Sequence, residues 1–461
     1  MSANPVFILP FTSCSETMAG TSSPFSGLTD SAISGIEANI NDDAQYRASS
    51  VGISLCFRVS SCDQDDQIVY EIKEGAAKVY LRCPQTLKPQ FTLQAKSEHW
   101  DLFFSAEPKR PFQSYWGMLR ILGQGSGVEV TGDFALFLTH ALLWRTILDR
   151  TRDRIQSRTT NARDDGYVSD DELDDDSIIG HYTWIKLAPL GKCKIFYETS
   201  GRGDQQVLFL HTAGADSRQF HSVMMNRKLQ DMCTMYAFDL PGHGRSFPGS
   251  SQYPWSYENS EELYVSAITQ MISKLGLKRV IVSGASMGGQ VCLAVALRAK
   301  ELDVGGVIPC EACDYLPKQQ AQTIYGLAGD ESVLNPERVC GMISPTSPEI
   351  YKRLNWWIYS AQATRIFPSD LLFYFEGWDG RDRMAQIDTE VCPVYMLTGE
   401  YDYSCTPDAS RATAAKIKGA IFEEMKRMGH FPFSEDPSGF IPYFLRALEH
   451  IISRQRSAVK R

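Results

Sequence analysis

The sequence predicts an α/β chain in two parts. A small α+β domain precedes a larger domain with a mostly parallel, doubly wound sheet and a helical insertion. Three observations predict this. From Tyr182 onward, apolar runs of strand length alternate with helical periods, the order that builds a parallel sheet covered on both faces. Between 51 and 95, period-two segments flank turn residues, which is a hairpin signature. Between about 152 and 178, an acidic stretch poor in apolar residues separates the two parts.

Composition bounds the rest. Of 461 residues, 43% are hydrophobic and 22% charged, which excludes wholesale disorder and fibrous classes. No run approaches the ~20 apolar residues of a membrane span. With 46 basic against 55 acidic residues the net charge is -9, so the chain lacks the basic excess of a general nucleic-acid binder. Val6-Phe7-Ile8-Leu9 is cut by Pro10 and has no basic lead, so no secretory signal is expected. The twelve cysteines sit among apolar neighbours, the usage of a reducing, cytoplasmic compartment. Cys310-x-x-Cys313 has no second pair nearby, and neither a zinc site nor a redox pair is expected there.

In order, residues 1–45 are rich in small polar residues and read as a flexible tail. Residues 46–152 read as the α+β accessory domain. Its strands are Val51 to Ser60, Gln67 to Lys73, Lys78 to Leu81 beyond the turn Glu74-Gly75, and Phe91 to Ala95. Ser97 is expected to cap a helix over 99–106, and Phe112 to Leu122 suggests a second helix. A short strand over 128–130 and a long amphipathic helix over 133–149 close the domain. Residues 153–180 read as a solvated acidic linker, with Ser169 before a run of acids as a phosphorylation hypothesis. Residues 181–461 form the larger domain. Its strands are Lys194 to Glu198, Gln206 to Leu210, Thr234 to Phe238, Arg279 to Val282 and Gly305 to Ile308. Helices are expected over 262–274 and 290–299, and an insertion over about 316–386. The strands Val394 to Gly399 and Ala420 to Met425 follow, then a terminal helix over 438–453.

Chemistry concentrates in the second part. Gly284-Ala285-Ser286-Met287-Gly288-Gly289 lies between the strand Val280-Ile281-Val282 and an apolar helix. A G-x-S-x-G in that place is a nucleophile elbow. Its strained turn needs small neighbours and presents the serine hydroxyl over a helix N-terminus. His211-Thr212-Ala213-Gly214 follows a strand, where the Ala213 N–H would join that of Met287 as an oxyanion donor. His211 itself reads as a residue that pins this loop.

A serine nucleophile needs a base, and the base needs an acid to orient it. Chain order supplies both. Asp402 comes 116 residues after Ser286, at the end of a strand, and His430 another 28 residues on. His450 lies in the terminal helix and is set aside. Glu400, Glu311 and Asp314 compete with Asp402 for the acid.

These motifs make the chain over about 182–455 resemble the α/β-hydrolase superfamily. Asp239-Leu240-Pro241-Gly242-His243-Gly244-Arg245-Ser246 resembles its D-x-x-G-x-G-x-S turn, in which His243 would be structural. The segments His211 to Phe220, Leu397 to Cys405 and Gly429 to Pro437 resemble esterase-like or carbon–carbon-bond hydrolases. The resemblance implies a serine hydrolase with a helical cap, acting through an acyl-enzyme on an ester, lactone or activated carbon–carbon bond. It implies no metal or organic cofactor. A non-hydrolytic acyl transfer, retro-Claisen, Dieckmann or lyase step on the same triad stays open, as does a binding protein on a hydrolase scaffold.

The insertion is rich in aromatic residues, and Trp356, Trp357, Tyr359 and Phe373 are expected to present apolar surface to a moderately large apolar or aromatic substrate. Arg353 and Arg365 are candidates for a substrate carboxylate. In the first domain, the sheet followed by Trp100, Phe103, Phe104, Tyr115 and Trp116, together with the phrase Val128-Glu129-Val130-Thr131-Gly132-Asp133, gives residues 50–150 a loose resemblance to sterol-carrier-protein-like domains. Such domains hold apolar ligands or mediate dimer contacts, so a homodimer is among the expectations.

Overall fold

The computed structural model describes residues 25, 27–121, 125–157, 177–253, 256–317 and 331–459. Most of the acidic stretch, including Ser169, lies outside them, as does most of the expected tail. By their internal contacts the residues form two units.

The first unit holds the described residues up to 106, those within 121–137, and 146–157. Its sheet comprises β1 (Leu55–Ser61), β2 (Gln67–Lys73), β3 (Ala76–Tyr80), β4 (Phe91–Ala95) and β5 (Glu129–Gly132), in the order β3-β2-β1-β4-β5. Glu74 and Gly75 both take positive φ, 51° and 82°, the backbone a two-residue hairpin requires. Phe57 stacks on Tyr70 at 4.9 Å and on Phe91 at 5.3 Å between ring centroids. These rings fill the core face of the sheet, and the sterol-carrier resemblance stays with the sequence phrases that suggested it. Part of the expected tail is ordered. Thr29 caps the helix Asp30–Asp42 by accepting from the Ala32 N–H, and Ile36 and Ile40 bury the face one turn apart.

Local differences have local causes. Helix Ser97–Phe103 starts without a side-chain cap, because the Ser97 hydroxyl is turned to Asp63 at 2.9 Å. The helix expected over 112–122 contracts to Tyr115–Met118 and a 3-10 turn, Leu119–Ile121. Ser114 caps it by accepting from the Gly117 N–H. The long amphipathic segment breaks into Phe134–Thr139 and Ala141–Ile155.

The second unit holds residues 107–120, 138–145 and the described residues from 177 on. The division thus departs from the expected boundary at 152. Its physical reason lies in polar contacts far apart in sequence. The Gln113 amide donates to the Tyr401 carbonyl at 2.7 Å, and the Ser114 hydroxyl to the Gly341 carbonyl at 2.8 Å. Two guanidinium nitrogens of Arg145, Nε and Nη2, donate to the two oxygens of the buried Glu337 carboxylate.

Its sheet has eight strands: β6 (Ile179–Leu187), β7 (Gly191–Ser200), β8 (Gln205–Leu210), β9 (Cys233–Phe238), β10 (Val280–Ala285), β11 (Val304–Cys310), β12 (Tyr395–Gly399) and β13 (Ile421–Met425). Their order is β13-β12-β11-β10-β8-β9-β7-β6. β7 runs antiparallel to both its neighbours, β6 and β9, and the other pairings are parallel. β6 escapes the sequence pattern because it is an edge strand that leaves Ile179, Tyr182 and Trp184 exposed. All six residues of β10 are buried, as a strand covered on both faces demands. Val282, Val307 and Met271 belong to the core on one side of the sheet. Phe209, Phe433 and Phe444 belong to the other.

Strand order reverses at β8, which lies between β9 and β10. The crevice beyond the carboxyl ends of strands at such a switch point is where doubly wound folds place ligands. The segments leaving β8 and β10 are His211 onward and Ser286 onward. Between β11 and β12 come the helices Glu331–Met342, Glu349–Ser360 and Ile366–Leu372, then a π-turn, Phe373–Gly377. Tyr325 of the expected insertion lies outside the described residues. Among the described residues, no helix is long and apolar enough to cross a membrane.

Candidate active site

Ser286 sits where β10 turns into the helix Met287–Ala296, with φ 58° and ψ −120°. A residue bearing a Cβ is strained there. The turn persists because its surroundings permit nothing larger. A Cβ on Gly284 would come 2.4 Å from the Leu210 carbonyl oxygen, and one on Gly288 would come 2.3 Å from it. The Ser286 N–H is fixed by the Cys310 carbonyl at 3.0 Å.

His430 leaves the loop after β13, and its Nδ1 lies 2.7 Å from Asp402 Oδ2. The other oxygen of Asp402 accepts from the backbone N–H groups of Ser404 at 2.7 Å and Cys405 at 3.1 Å. The carboxylate is therefore fully bonded and fully buried. The competing acids are engaged elsewhere. Glu400 accepts from the Arg427 N–H, and Asp314 pairs with Lys416. Glu311 is buried under the same loop and accepts from the Gly399 N–H at 3.0 Å. Burial, reinforced by the charge of Asp402, pushes its carboxyl far above the ordinary range.

His430 is held by its own loop. The Glu435 carboxylate accepts from the Gly429 and Phe431 N–H groups on either side of the histidine. The His430 N–H donates to the Met342 carbonyl at 3.2 Å.

On the β8 side, His211 is buried, and burial lowers its pKa to about 4. Its Nε2 accepts from the Leu240 N–H and its Nδ1 lies 2.8 Å from the Thr212 carbonyl. A neutral ring protonated on Nδ1 satisfies both, so His211 pins the loop. The Gly214 N–H donates to Asp370 Oδ2 at 2.8 Å. Asp370 also meets the His243 ring at 2.8 Å, the Asn259 amide at 2.8 Å and the Tyr257 hydroxyl at 3.2 Å. One buried carboxylate in the inserted helices thus ties together three separate loops.

Ser286 and His430 line one cavity of about 700 Å³, counting the space that opens to solvent. Ala213 lines it too. The helix N-terminal N–H groups beginning at Met287 lie under the serine. Its aromatic walls are Trp116, Tyr359, Phe367, Tyr374, Phe375, Tyr403 and Phe431. Of the four aromatic residues expected to meet substrate, Tyr359 lines the cavity and Trp356, Trp357 and Phe373 do not. The Trp356 ring N–H donates to Glu337 at 2.7 Å. Trp357 faces outward beneath the Arg218 guanidinium, 4.3 Å from its ring centroid. Phe373 is buried in the core on one side of the sheet. Arg353 and Arg365 are exposed and stand outside the cavity. The cations that line it are Arg120 and Arg338.

Sequence reasoning missed Arg120, Arg338, Asp370 and Glu435. A signal existed for two of them. Asp370 interrupts the apolar run Ile366 to Phe375, and Arg120 interrupts Met118 to Leu122. A charge inside an apolar run is bonded, or serves a site.

The sequence model of the alpha/beta hydrolase family matches residues 207–442. An uncharacterized protein of Mycobacterium tuberculosis is 25% identical over 276 residues, 53% of this chain and 75% of that one. An uncharacterized hydrolase of Bacillus subtilis is 29% identical over 130 residues, 28% of this chain and 44% of that one. Among solved structures, an esterase from Thermogutta terrifontis superposes with a TM-score of 0.51 at 20% identity, covering 59% of this chain and 99% of that one. A hydrolase from Pseudomonas aeruginosa gives 0.50 at 17% identity, covering 58% and 98%. These two likenesses concern the fold.

Proposed function

Because the chain belongs to the alpha/beta hydrolase family, we propose that it is a serine hydrolase. It cleaves an ester, lactone or activated carbon–carbon bond of a moderately large apolar or aromatic molecule through an acyl-enzyme. Ser286 attacks the acyl carbon. His430 takes the hydroxyl proton and passes it to the leaving group. Asp402 holds the imidazole in the tautomer that accepts at Nε2 and stabilises the imidazolium. The N–H groups of Ala213 and Met287 take the oxyanion, a contribution worth about 3 kcal/mol per donor in comparable sites. Water then releases the acid. The inserted helices act as a cap whose aromatic walls take the apolar part of the substrate.

The observation that carries this reading is the 2.7 Å bond from His430 to a buried, fully bonded Asp402, behind a cavity that His430 shares with the strained Ser286. A fluorophosphonate probe tests it. Stoichiometric labelling at Ser286, lost in Ser286→Ala and His430→Ala, is expected. A folded protein that takes no label overturns the reading. Turnover in labelled water then separates hydrolysis from acyl transfer, since only hydrolysis places the label in the acid product.

A further inference from the structure

Thr212 precedes the proposed oxyanion donor Ala213 and lines the same cavity as Ser286 and His430. It is buried, and two side chains meet its hydroxyl. The first is Gln219, in the 3-10 turn Ser217–Phe220, whose Oε1 accepts from the Thr212 N–H at 3.2 Å. That contact fixes which end of the amide faces the loop, so Gln219 Nε2 donates to Thr212 Oγ1, at 3.4 Å. The second is the Tyr359 hydroxyl, brought in by the inserted helix Glu349–Ser360. The Tyr359 ring is held by edge contacts to Phe367 at 5.7 Å and Phe431 at 5.6 Å between centroids.

The two hydroxyls carry two protons, and their mutual bond uses one. Among the described residues neither hydroxyl has a further acceptor, so one proton is left for the occupant of the cavity. A phenol is the more acidic of the two, and an alcohol oxygen is the better acceptor. Burial raises the Tyr359 pKa further and keeps the phenol protonated. Tyr359 therefore donates to Thr212, as Gln219 does, and the spare proton is that of Thr212. Two donations into one hydroxyl oxygen polarise its O–H and strengthen the bond it gives.

We propose that the Thr212 hydroxyl is a third donor to the oxyanion, beside the N–H groups of Ala213 and Met287, and that Tyr359 and Gln219 position it. This rests on the reading of Ser286 as the nucleophile of the same cavity. It gives the inserted helix a part in the chemistry, since the phenol that aims the donor comes from that helix.

Turnover of para-nitrophenyl butyrate and the rate of fluorophosphonate labelling test it on the full chain. Thr212→Val replaces the hydroxyl by a methyl group. Both kcat and the labelling rate constant should fall about ten-fold or more, while KM moves by less than about two-fold. Thr212→Ser keeps a hydroxyl and should recover most of that loss. Tyr359→Phe should lower kcat about three- to five-fold, as the loss of one neutral hydrogen bond predicts. The double variant Thr212→Val/Tyr359→Phe should be no slower than Thr212→Val, because the phenol acts only through the hydroxyl.

Losses that multiply in the double variant overturn the inference, as does a Tyr359→Phe effect confined to KM. A Tyr359→Phe loss larger than that of Thr212→Val would make the phenol the donor and overturn it too. A Thr212→Val protein that labels and turns over like wild type overturns it and leaves the hydrolase reading intact. A wild type that takes no label sinks the hydrolase reading, and this inference with it. If Thr212→Val fails to fold, Tyr359→Phe decides, since a kcat equal to wild type is then the overturning result.

Discussion

Asp370 and His243 form a second buried acid–histidine pair, with Oδ2 to Nε2 at 2.8 Å and no exposure on either side chain. It resembles the His430–Asp402 pair in composition and differs in surroundings. Asp370 spends its remaining capacity on Gly214, Tyr257 and Asn259, so it is a positioning residue for the loop that carries Ala213.

Burial opposes ionisation of both partners, but their mutual attraction raises the His243 pKa and lowers that of Asp370. The raised histidine contributes stability below its ordinary value of 6.5 and loses it as pH rises through the folded value. The lowered aspartate contributes above its ordinary value of 3.8 and loses it as pH falls through the folded value. Asp370→Ala strands four donors, with an expected loss of about 3–5 kcal/mol in urea unfolding. Asp370→Asn should lower kcat more than it raises KM, since it disturbs the loop of the proposed oxyanion donor Ala213 rather than the aromatic walls. Unchanged stability in both variants would refute the hub.

Asp402 is the proposed acid of the site and Glu311 its buried neighbour. Asp402→Asn presents an amide that favours the wrong imidazole tautomer, and kcat should fall by ~10³–10⁴. Glu311 has its carboxyl pushed far up by burial, so glutamine copies the neutral form it holds. Its Oε1 can still accept from the Gly399 N–H. Glu311→Gln should therefore change stability by less than about 1 kcal/mol. Steady-state rates across the two variants check this, and a large kcat loss in Glu311→Gln would reverse the assignment.

What the sequence made legible was local or ordered along the chain. The elbow is local, since Gly284 and Gly288 are demanded by the same Leu210 carbonyl that crowds them. Asp402 and His430 follow from the order of strands. The cavity walls were less legible because they join distant segments, as Trp116 and Arg120 join Arg338 and Tyr403. Trp357 was misplaced for a different reason. In the helix Glu349–Ser360 the buried residues are Tyr351, Asn355, Ile358 and Tyr359, a helical spacing that already turns Trp357 outward. Counting aromatic residues without their period hid this.

Strain at Ser286 is a stability cost tied to the proposed chemistry. Its φ of 58° and ψ of −120° suit glycine and no other residue. Ser286→Gly and Ser286→Ala both delete the hydroxyl, but only glycine relieves the Cβ. Glycine should be the more stable of the two by about 1 kcal/mol in chemical denaturation, despite its greater unfolded-state entropy. Equal stabilities would mean that the turn is unstrained.

Glu435 makes the alkaline limb of stability testable. Burial pushes its carboxyl up to about 8, against the Gly429, Phe431 and Ser344 N–H groups that favour the ion. Its folded pKa lies above its ordinary 4.5, so its contribution is full below that value and lost as pH rises through about 8. Between pH 6 and 9 this group alone should cost on the order of 2 kcal/mol. Glu435→Gln removes the titration and keeps one acceptor for the His430 loop. The variant should match or trail wild type in Tm at pH 6 and lead it at pH 9. Parallel Tm–pH curves would show that the three N–H groups hold Glu435 ionised throughout, and that the loop around His430 is anchored by a charge rather than by a neutral acid.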